Sequence, residues 1–221
     1  MRYSAQDVGA LLRREYGEMP WRPHSDPMAE LVLTILSQNT SDANSGRAFA
    51  RLLAAFPAWE GLMAADCEAI VAAVRVAGLA QVKAPRLKAL LAEVWRRLGS
   101  FDLSFLAEMP LDEAKAWLRS LPGVGPKTAA CVLLFAFGRP ALPVDTHVHR
   151  LSQRLGLVDA KVGTDAAHDV LEAMLSPAEV YPFHVGLVRH GRRICKAQRP
   201  RCHLCILQPG CLAAPAFLAS C

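Results

Sequence analysis

The stretch LPGVGPKTAACVLLFAFG, residues 121–138, follows a predicted helix that ends near Ser120 and contains the start of another at about Pro126. Its Gly-Val-Gly element allows the backbone to turn sharply and to approach another surface without a Cβ in the way. Proline suits a first helical position, because its missing N–H would have no partner there. The stretch therefore predicts outward-pointing amides at a helix N-terminus, where a phosphate binds readily. An ordinary tight turn is the alternative, since short glycine motifs also occur by chance.

Lys127 lies in the first turn of the second helix, directly before the apolar run at 129–137. The positive end of the helix dipole disfavours a cation there. A partly desolvated lysine at such a position should have a lowered pKa, and a neutral amine is a nucleophile that can form a Schiff base. The alternative is a lysine whose aliphatic stem packs while its ammonium group reaches water. Lys127 is therefore a candidate nucleophile.

Asp145 occurs in the segment PVDTHVHR, residues 143–150, directly before a helical pattern. Its position predicts a helix N-cap, in which a side-chain oxygen accepts a hydrogen bond from a free N–H of the first turn. Capping alone would explain this residue. The functional alternative is that the same carboxylate faces Lys127 and either accepts its proton or stabilises positive charge that develops on the substrate.

The C-terminal region contains a cluster of cysteines, Cys195, Cys202, Cys205 and Cys211, with the spacing C-x6-C-x2-C-x5-C. Thiolates gathered in one loop repel each other unless a metal binds them. Zinc and an iron–sulfur cluster are both compatible with this spacing. The segment between the first two cysteines is KAQRPR, residues 196–201, so closing the site would present a cationic loop to solvent. Such a loop is suited to contact phosphates.

The net charge of +5 is concentrated at one end of the chain. Residues 180–221 contain six lysines and arginines and no acidic residue, whereas residues 1–179 contain 19 basic and 20 acidic residues. This local excess favours a polyanionic partner, and a solvated face is the alternative. The charged N-terminus does not resemble a signal peptide, and the longest apolar run is too short to cross a membrane. We therefore expect a cytoplasmic protein.

Helical periodicity dominates the whole chain. Apolar residues recur at three- and four-residue steps, and no window alternates as a strand would. The clearest example contains Leu111, Ala114, Trp117, Leu118 and Leu121. Similar segments occur at about 28–37, 43–56, 66–77, 83–98, 146–155 and 164–175. Glycine and proline separate these segments, so the sequence predicts an all-α protein of many short helices.

In combination, LPGVGPKTA, a VDTH motif about twenty residues later and the cysteine loop resemble the endonuclease III branch of the helix-hairpin-helix (HhH-GPD) DNA glycosylases. The resemblance extends over nearly the whole chain and implies an all-α, two-domain fold that binds DNA in the cleft between the domains. It implies a six-helix barrel domain at 21–138, and an iron–sulfur domain that combines 1–20 with 139–221. It further implies Lys127 as nucleophile and Asp145 as essential carboxylate. A [4Fe–4S] cluster would be held in the loop 195–211 by Cys195, Cys202, Cys205 and Cys211.

The resemblance also predicts DNA contacts. The segment LSQNTSD, residues 36–42, places Gln38 and Asn39 where the family inserts a polar side chain into the gap left by a flipped base. The family's usual glutamine plug corresponds to Asn39, so both residues are candidates. Leu79 looks like the apolar wedge that the family inserts between base pairs. A wedge is needed because an enzyme that acts on a base must extrude that base from the duplex. The expected DNA contacts are Gln38, Asn39, Leu79, Gly123, Val124, Gly125, Lys196, Arg199 and Arg201.

The activity that the resemblance implies is that of a bifunctional glycosylase and AP lyase, which excises oxidised pyrimidines through a lysine Schiff base and β-elimination. The expected partner is double-stranded DNA with damaged bases or abasic sites, bound by a monomer that is associated with the nucleoid and not with a membrane. A mismatch-specific glycosylase and a non-catalytic or weakly active structure-specific DNA-binding protein are alternatives. The adenine-excising branch is disfavoured, because its additional glutamate has no counterpart in residues 31–41.

Overall fold

The computed structural model describes residues 2–23 and 25–219, which form α-helices joined by short 3₁₀ turns and loops. This part of the chain contains no β-strand, so the predicted all-α class is confirmed. In chain order the helices are α1 (Ala5–Tyr16), α2 (Pro27–Leu36), α3 (Asp42–Ala55), α4 (Trp59–Ala64), α5 (Cys67–Val74), α6 (Ala80–Leu98), α7 (Leu111–Arg119), α8 (Pro126–Phe137), α9 (Thr146–Leu155), α10 (Thr164–Glu172), α11 (Pro177–Arg193) and α12 (Ala214–Leu218).

One long helix, α11, is absent from the predicted segments, because its prolines and glycines resemble turn signals. Pro177 is the first helical residue, where proline is tolerated. The glycines permit close packing between helices: an added Cβ would lie 3.1 Å from Leu12 Cβ at Gly186, and 2.9 Å from His147 Nδ1 at Gly191. The other predicted segments match α2, α3, α5, α6, α9 and α10, with boundaries that differ by at most three residues.

The chain divides into two compact units. The central unit contains Pro23–Phe137 and runs from α2 to α8. The terminal unit combines Met1–Arg22 with Gly138–Cys221, so that α1 packs with helices from the other end of the sequence.

In the central unit, α8 packs against α2 and α7. It is buried over every residue of Thr128–Leu134, as expected of a helix that is apolar on all sides. Leu31 and Ile35 of α2 are fully buried, and each such side chain contributes roughly 2 kcal/mol to stability. This packing fixes α8, the helix that carries the candidate nucleophile.

In the terminal unit, α11 packs between α1 and α9. Leu12, Phe183, Leu187 and Val148 are buried in the core of this unit. No helix in the described part of the chain combines the length and the apolar character needed to cross a membrane.

Candidate functional site

The turn before α8, residues 121–125, depends on its two glycines in different ways. Gly123 has a left-handed backbone, with a φ of 77°, and an added Cβ would collide with Cγ and Cδ of Arg86. At Gly125, by contrast, an added Cβ would meet no atom within 4 Å. Gly123 therefore serves the packing of the turn, whereas the bare backbone of Gly125 is open to a ligand.

Lys127 is the second residue of α8 and is half-buried, directly before the buried run Thr128–Leu134. The amides of a first helical turn have no partner within the helix, and they stand at the positive end of its dipole. The Val124 side chain is buried, so only its backbone can reach a ligand. The start of α8 thus presents an amine beside a potential anion site.

Asp145 is the N-cap of α9, as its position in the sequence predicts. Its Oδ1 accepts hydrogen bonds from the backbone N–H of His147 at 2.9 Å and of Val148 at 2.8 Å. Both bonds use the same oxygen, and within the described residues Oδ2 accepts none. The cap therefore fixes the carboxylate and leaves one oxygen for chemistry.

The strap, which we define as residues 139–144, leads into this cap and has no helical structure of its own. The N–H of Leu142 donates to Glu172 Oε1 at 2.7 Å. His168 Nδ1 lies 2.8 Å from the Leu142 oxygen, and His184 Nδ1 lies 2.9 Å from the Pro143 oxygen. Both histidines are buried, so the strap is held from inside the unit.

Burial lowers the pKa of His168, although its bond to the strap and the nearby carboxylates of Glu172, Asp165 and Asp169 act in the opposite direction. Its Nε2 is buried and has no hydrogen-bond partner among residues 2–23 and 25–219. The ring is therefore held neutral, with Nδ1 as the donor.

The cysteine loop encloses a cavity of the terminal unit, lined by Cys195, Cys202, Cys205 and Cys211. Within residues 2–23 and 25–219, no three or more cysteine, histidine or carboxylate side chains are arranged to hold a metal ion. The cysteines nevertheless line one shared cavity. Burial raises the pKa of the Cys205 thiol to about 11, and negative charge on the other three cysteines adds to this effect.

Nitrogen atoms lie close to the sulfurs of this loop. Arg154 Nη1 donates to Cys195 Sγ at 3.2 Å, and His190 Nε2 lies 3.2 Å from Cys205 Sγ. The other ring nitrogen of His190 is 2.8 Å from the Tyr16 hydroxyl. Hydrogen-bond donors directed at ligand sulfurs are typical of cysteine-ligated metal centres. The donor set therefore fits a group that keeps the thiols deprotonated.

Arg154 also fastens the basic part of the loop, because it donates to the backbone oxygens of Lys196 at 2.8 Å and Ala197 at 2.9 Å. The side chains of Lys196, Arg199 and Arg201 are exposed. The loop therefore presents its positive charge to solvent, as its sequence predicts.

Among the described residues, those with a left-handed backbone that are not glycine are Asn39, Leu79 and Arg199, with φ values of 55°, 52° and 50°. All three belong to the predicted DNA contacts. Leu79 is in addition 55% exposed. Backbone strain of this kind is concentrated at functional sites.

Gln38 differs from Asn39, because both ends of its amide are engaged inside the central unit. Its Oε1 accepts from Arg86 Nη1 at 2.8 Å, and its Nε2 donates to the Gly123 oxygen at 3.3 Å. Asn39 is exposed. Of the two candidate plugs, Asn39 is thus the one whose side chain is available.

Several residues that hold these groups were not predicted from the sequence. They are Lys83, Arg86, Arg154, His168, His184 and His190. Lys83 and the histidines are buried by contacts that are distant in sequence, so no local pattern marks them. Arg154 has a weak signal, since it lies four residues after Arg150 on the same helix and both contact the cysteine loop.

The family model described as HhH-GPD superfamily base excision DNA repair protein matches residues 32–177 of this chain. An endonuclease III of Thermotoga maritima is 35% identical over 85% of this chain and 83% of its own length. A candidate DNA glycosylase of Arabidopsis thaliana is 36% identical over 75% of this chain, which spans 56% of the plant protein.

Two solved structures of endonuclease III with DNA, one non-covalent and one a trapped covalent intermediate, resemble the fold closely. Each matches with a TM-score of 0.84 and 28% identity, over 98% of this chain and 99% of the other. The matched family region includes both Lys127 and Asp145.

The chain therefore belongs to the HhH-GPD superfamily of base excision DNA repair proteins. Together with α7, residues 121–137 form the helix-hairpin-helix that gives this superfamily its name. Within the superfamily the chain falls in the endonuclease III branch and is a DNA glycosylase.

Proposed function

We propose that this glycosylase is bifunctional: it excises oxidised pyrimidines from double-stranded DNA and then cleaves the strand at the abasic site. The observation that carries the proposal is the placement of Lys127, half-buried at the start of α8 after a glycine turn. An amine at the start of a helix, beside backbone amides that have no partner within the helix, is suited to form a Schiff base with a sugar.

Lys127 carries the covalent chemistry. Its Nζ attacks C1′ of the deoxyribose through the nitrogen lone pair, and the bond to the base breaks as the base leaves with the electron pair and takes up a proton. The attacking nitrogen then gives up a proton to O4′ as the C1′–O4′ bond breaks, and the sugar ring opens to a Schiff base. Removal of a C2′ proton then breaks the C3′–O bond and nicks the strand. Water finally hydrolyses the Schiff base and restores the lysine.

Asp145 is the essential carboxylate in this proposal. The α9 amides hold Oδ1, so the carboxylate has a fixed orientation. Its role in the proposal is electrostatic: the negative charge of the carboxylate stabilises positive charge that develops on the sugar.

The proposed DNA contacts fall into two kinds. Gly123, Val124 and Gly125 contact a phosphate through the backbone, and Lys196, Arg199 and Arg201 contact phosphates through their charges. At the extruded base, Asn39 fills the gap and the exposed Leu79 separates the neighbouring base pairs. Gln38 lies in the same loop as Asn39 and contributes through its hydrogen bonds to Arg86 and to the Gly123 oxygen.

In this proposal Cys195, Cys202, Cys205 and Cys211 would hold a [4Fe–4S] cluster. Four cysteines that line one cavity could hold either a cluster or a zinc ion. Membership of the endonuclease III branch supports the cluster. When bound, the cluster would supply positive charge that keeps the thiolates ionised, and the four cysteines would thereby brace the basic loop.

The central unit would then correspond to the six-helix barrel domain, and the terminal unit to the iron–sulfur domain. We expect the protein to act as a monomer in the cytoplasm, associated with the nucleoid through its DNA contacts.

Borohydride trapping tests the proposal. The purified protein is incubated with a duplex that carries one oxidised thymine or one abasic site, and the Schiff base is reduced. We expect a covalent adduct and a nicked strand, both abolished in Lys127→Gln. The matched control is Lys161→Gln, which removes a lysine exposed on the surface of the terminal unit. An adduct that survives in Lys127→Gln would refute the assignment. DNA affinity without any adduct in the unsubstituted protein would leave only a binding function.

A further inference from the structure

Lys83 is among the largest fully buried side chains of the described residues, and it is 2% exposed. Its Nζ donates to the backbone oxygens of Leu36 at 2.8 Å and Ala77 at 2.9 Å. Leu36 is the last residue of α2 and Ala77 ends the 3₁₀ turn Arg75–Ala77. One ammonium group therefore joins the base of the plug loop, residues 37–41, to the base of the wedge loop, residues 75–79.

Joining two loops through a buried lysine is energetically unfavourable, because the charged group loses its contact with water. Burial lowers its pKa, and within the described residues no carboxylate pairs with its charge. A methionine of similar size would avoid the desolvation of a cation. What a methionine cannot do is satisfy two carbonyl groups at once. The lysine therefore serves the geometry of the two loops, and stability alone does not account for it.

Arg86 lies one turn further along α6, on the same side of the helix. Its guanidinium donates to Gln38 Oε1 at 2.8 Å, and Gln38 Nε2 donates to the Gly123 oxygen at 3.3 Å. The aliphatic part of Arg86 also lies under Gly123, where only a glycine leaves room for it. Through Gln38, Arg86 connects the plug loop to the hairpin loop, residues 121–125.

We propose that Lys83, Arg86 and Gln38 form a bracket that fixes the distances among the plug, wedge and hairpin loops, and so makes extrusion of a nucleotide possible. These are positioning residues, and Gln38 acts through its contacts inside the protein. The inference rests on the proposed function, because only an enzyme that extrudes its target needs three loops at fixed spacing.

The test compares two substrates that differ only in the resistance to extrusion. One is an abasic site in a fully paired duplex, and the other is the same site inside an unpaired bubble, where stacking offers little resistance. The rate of borohydride trapping is measured on both, at saturating protein. We expect Arg86→Met and Gln38→Ala to slow trapping about tenfold in the duplex and less than twofold in the bubble.

The relay from Arg86 to Gln38 predicts a specific coupling. Because both substitutions break the same connection, the double variant should be no slower than either single variant. Independent, multiplying defects would instead give Gln38 a direct role in DNA and would overturn the relay. Lys83→Met should show the same dependence on pairing. If that variant does not fold, the Arg86 and Gln38 variants decide the question.

Lys88→Met is the matched control. Lys88 lies on the same helix and also donates to a backbone oxygen, that of Ala65, which belongs to none of the three loops. It should trap both substrates at the unsubstituted rate. Equal defects of the bracket variants on both substrates, or no defect at all, would refute the proposal. If the unsubstituted protein traps neither substrate, the proposed function itself fails, which is a distinct result.

Discussion

The two units hold their proposed catalytic groups with different kinds of donor. In the central unit the hairpin of Lys127 is fixed through a cation, because Arg86 donates to the Gln38 amide, which in turn donates to the Gly123 oxygen. In the terminal unit the strap before Asp145 is fixed by buried histidines, His168 among them. An arginine keeps its proton at any pH that a protein survives, whereas a histidine changes charge near neutrality. The support of the nucleophile should therefore be less sensitive to pH than that of the carboxylate.

In the terminal unit, Asp145→Asn separates the structural role of this residue as a helix cap from its chemical role as a carboxylate. Asparagine also caps helices, so the free energy of unfolding should change by less than about 0.5 kcal/mol. Loss of the ionised oxygen should slow trapping by at least about 100-fold. Urea unfolding and borohydride trapping measure the two effects. Asp145→Ala is the control, and it should in addition lose roughly 1 kcal/mol of stability with the cap. Activity that persists in Asp145→Asn would reduce the residue to a cap.

In the central unit, the two hairpin glycines should respond in opposite ways to the same substitution. Gly123→Ala forces a strained φ and displaces Arg86, so we expect a loss of roughly 1–2 kcal/mol in stability and roughly tenfold slower trapping. Gly125→Ala meets no neighbour and should change stability by less than about 0.5 kcal/mol. Its methyl group should instead weaken DNA binding several-fold, as measured by fluorescence anisotropy. Equal stability loss in both variants would contradict these roles.

The pH dependence of stability tests the histidine support directly. Because burial lowers the pKa of His168 below the ordinary value of 6.5, the unfolded chain binds a proton that the folded protein resists. The stabilising contribution is complete above about pH 6.5 and decreases as the pH falls below it. We expect the free energy of unfolding to decrease more steeply on acidification in the unsubstituted protein than in His168→Asn. Asparagine keeps an N–H near the position of Nδ1 but cannot titrate. Identical pH profiles would mean that His168 does not cause the pH dependence of stability.

The smallest effect concerns the strained wedge. Leu79 has a left-handed backbone that glycine adopts freely, and its side chain is largely exposed. Leu79→Gly should therefore raise the free energy of unfolding by about 1 kcal/mol while it slows excision a few-fold. Leu212→Gly is the control, since that residue is also exposed but has no positive φ. A wedge variant that is both less stable and fully active would contradict a role in DNA.

The sequence predicts those parts of the site that depend on short, local patterns of residues. The cap at Asp145 follows from an aspartate before a helical repeat, and the hairpin follows from two glycines and a proline before an apolar run. The bracket could not be predicted in this way. Lys83 and Leu36 are 47 residues apart, and Gln38 and Gly123 are 85 residues apart. A lysine at 83 in a helical segment resembles any surface lysine until the fold buries it.

The helix α9 begins after Asp145 and has Arg154 in its last turn, next to the cysteine loop. A helix of this length is a stiff rod of about 15 Å, so its cap and its arginine keep a constant orientation toward each other. Inserting one residue within α9 would turn one end by about 100° against the other. Exposed positions along the rod can vary in an evolving lineage, but its number of residues cannot. We therefore expect homologous chains to conserve the length of this helix more strictly than its surface composition.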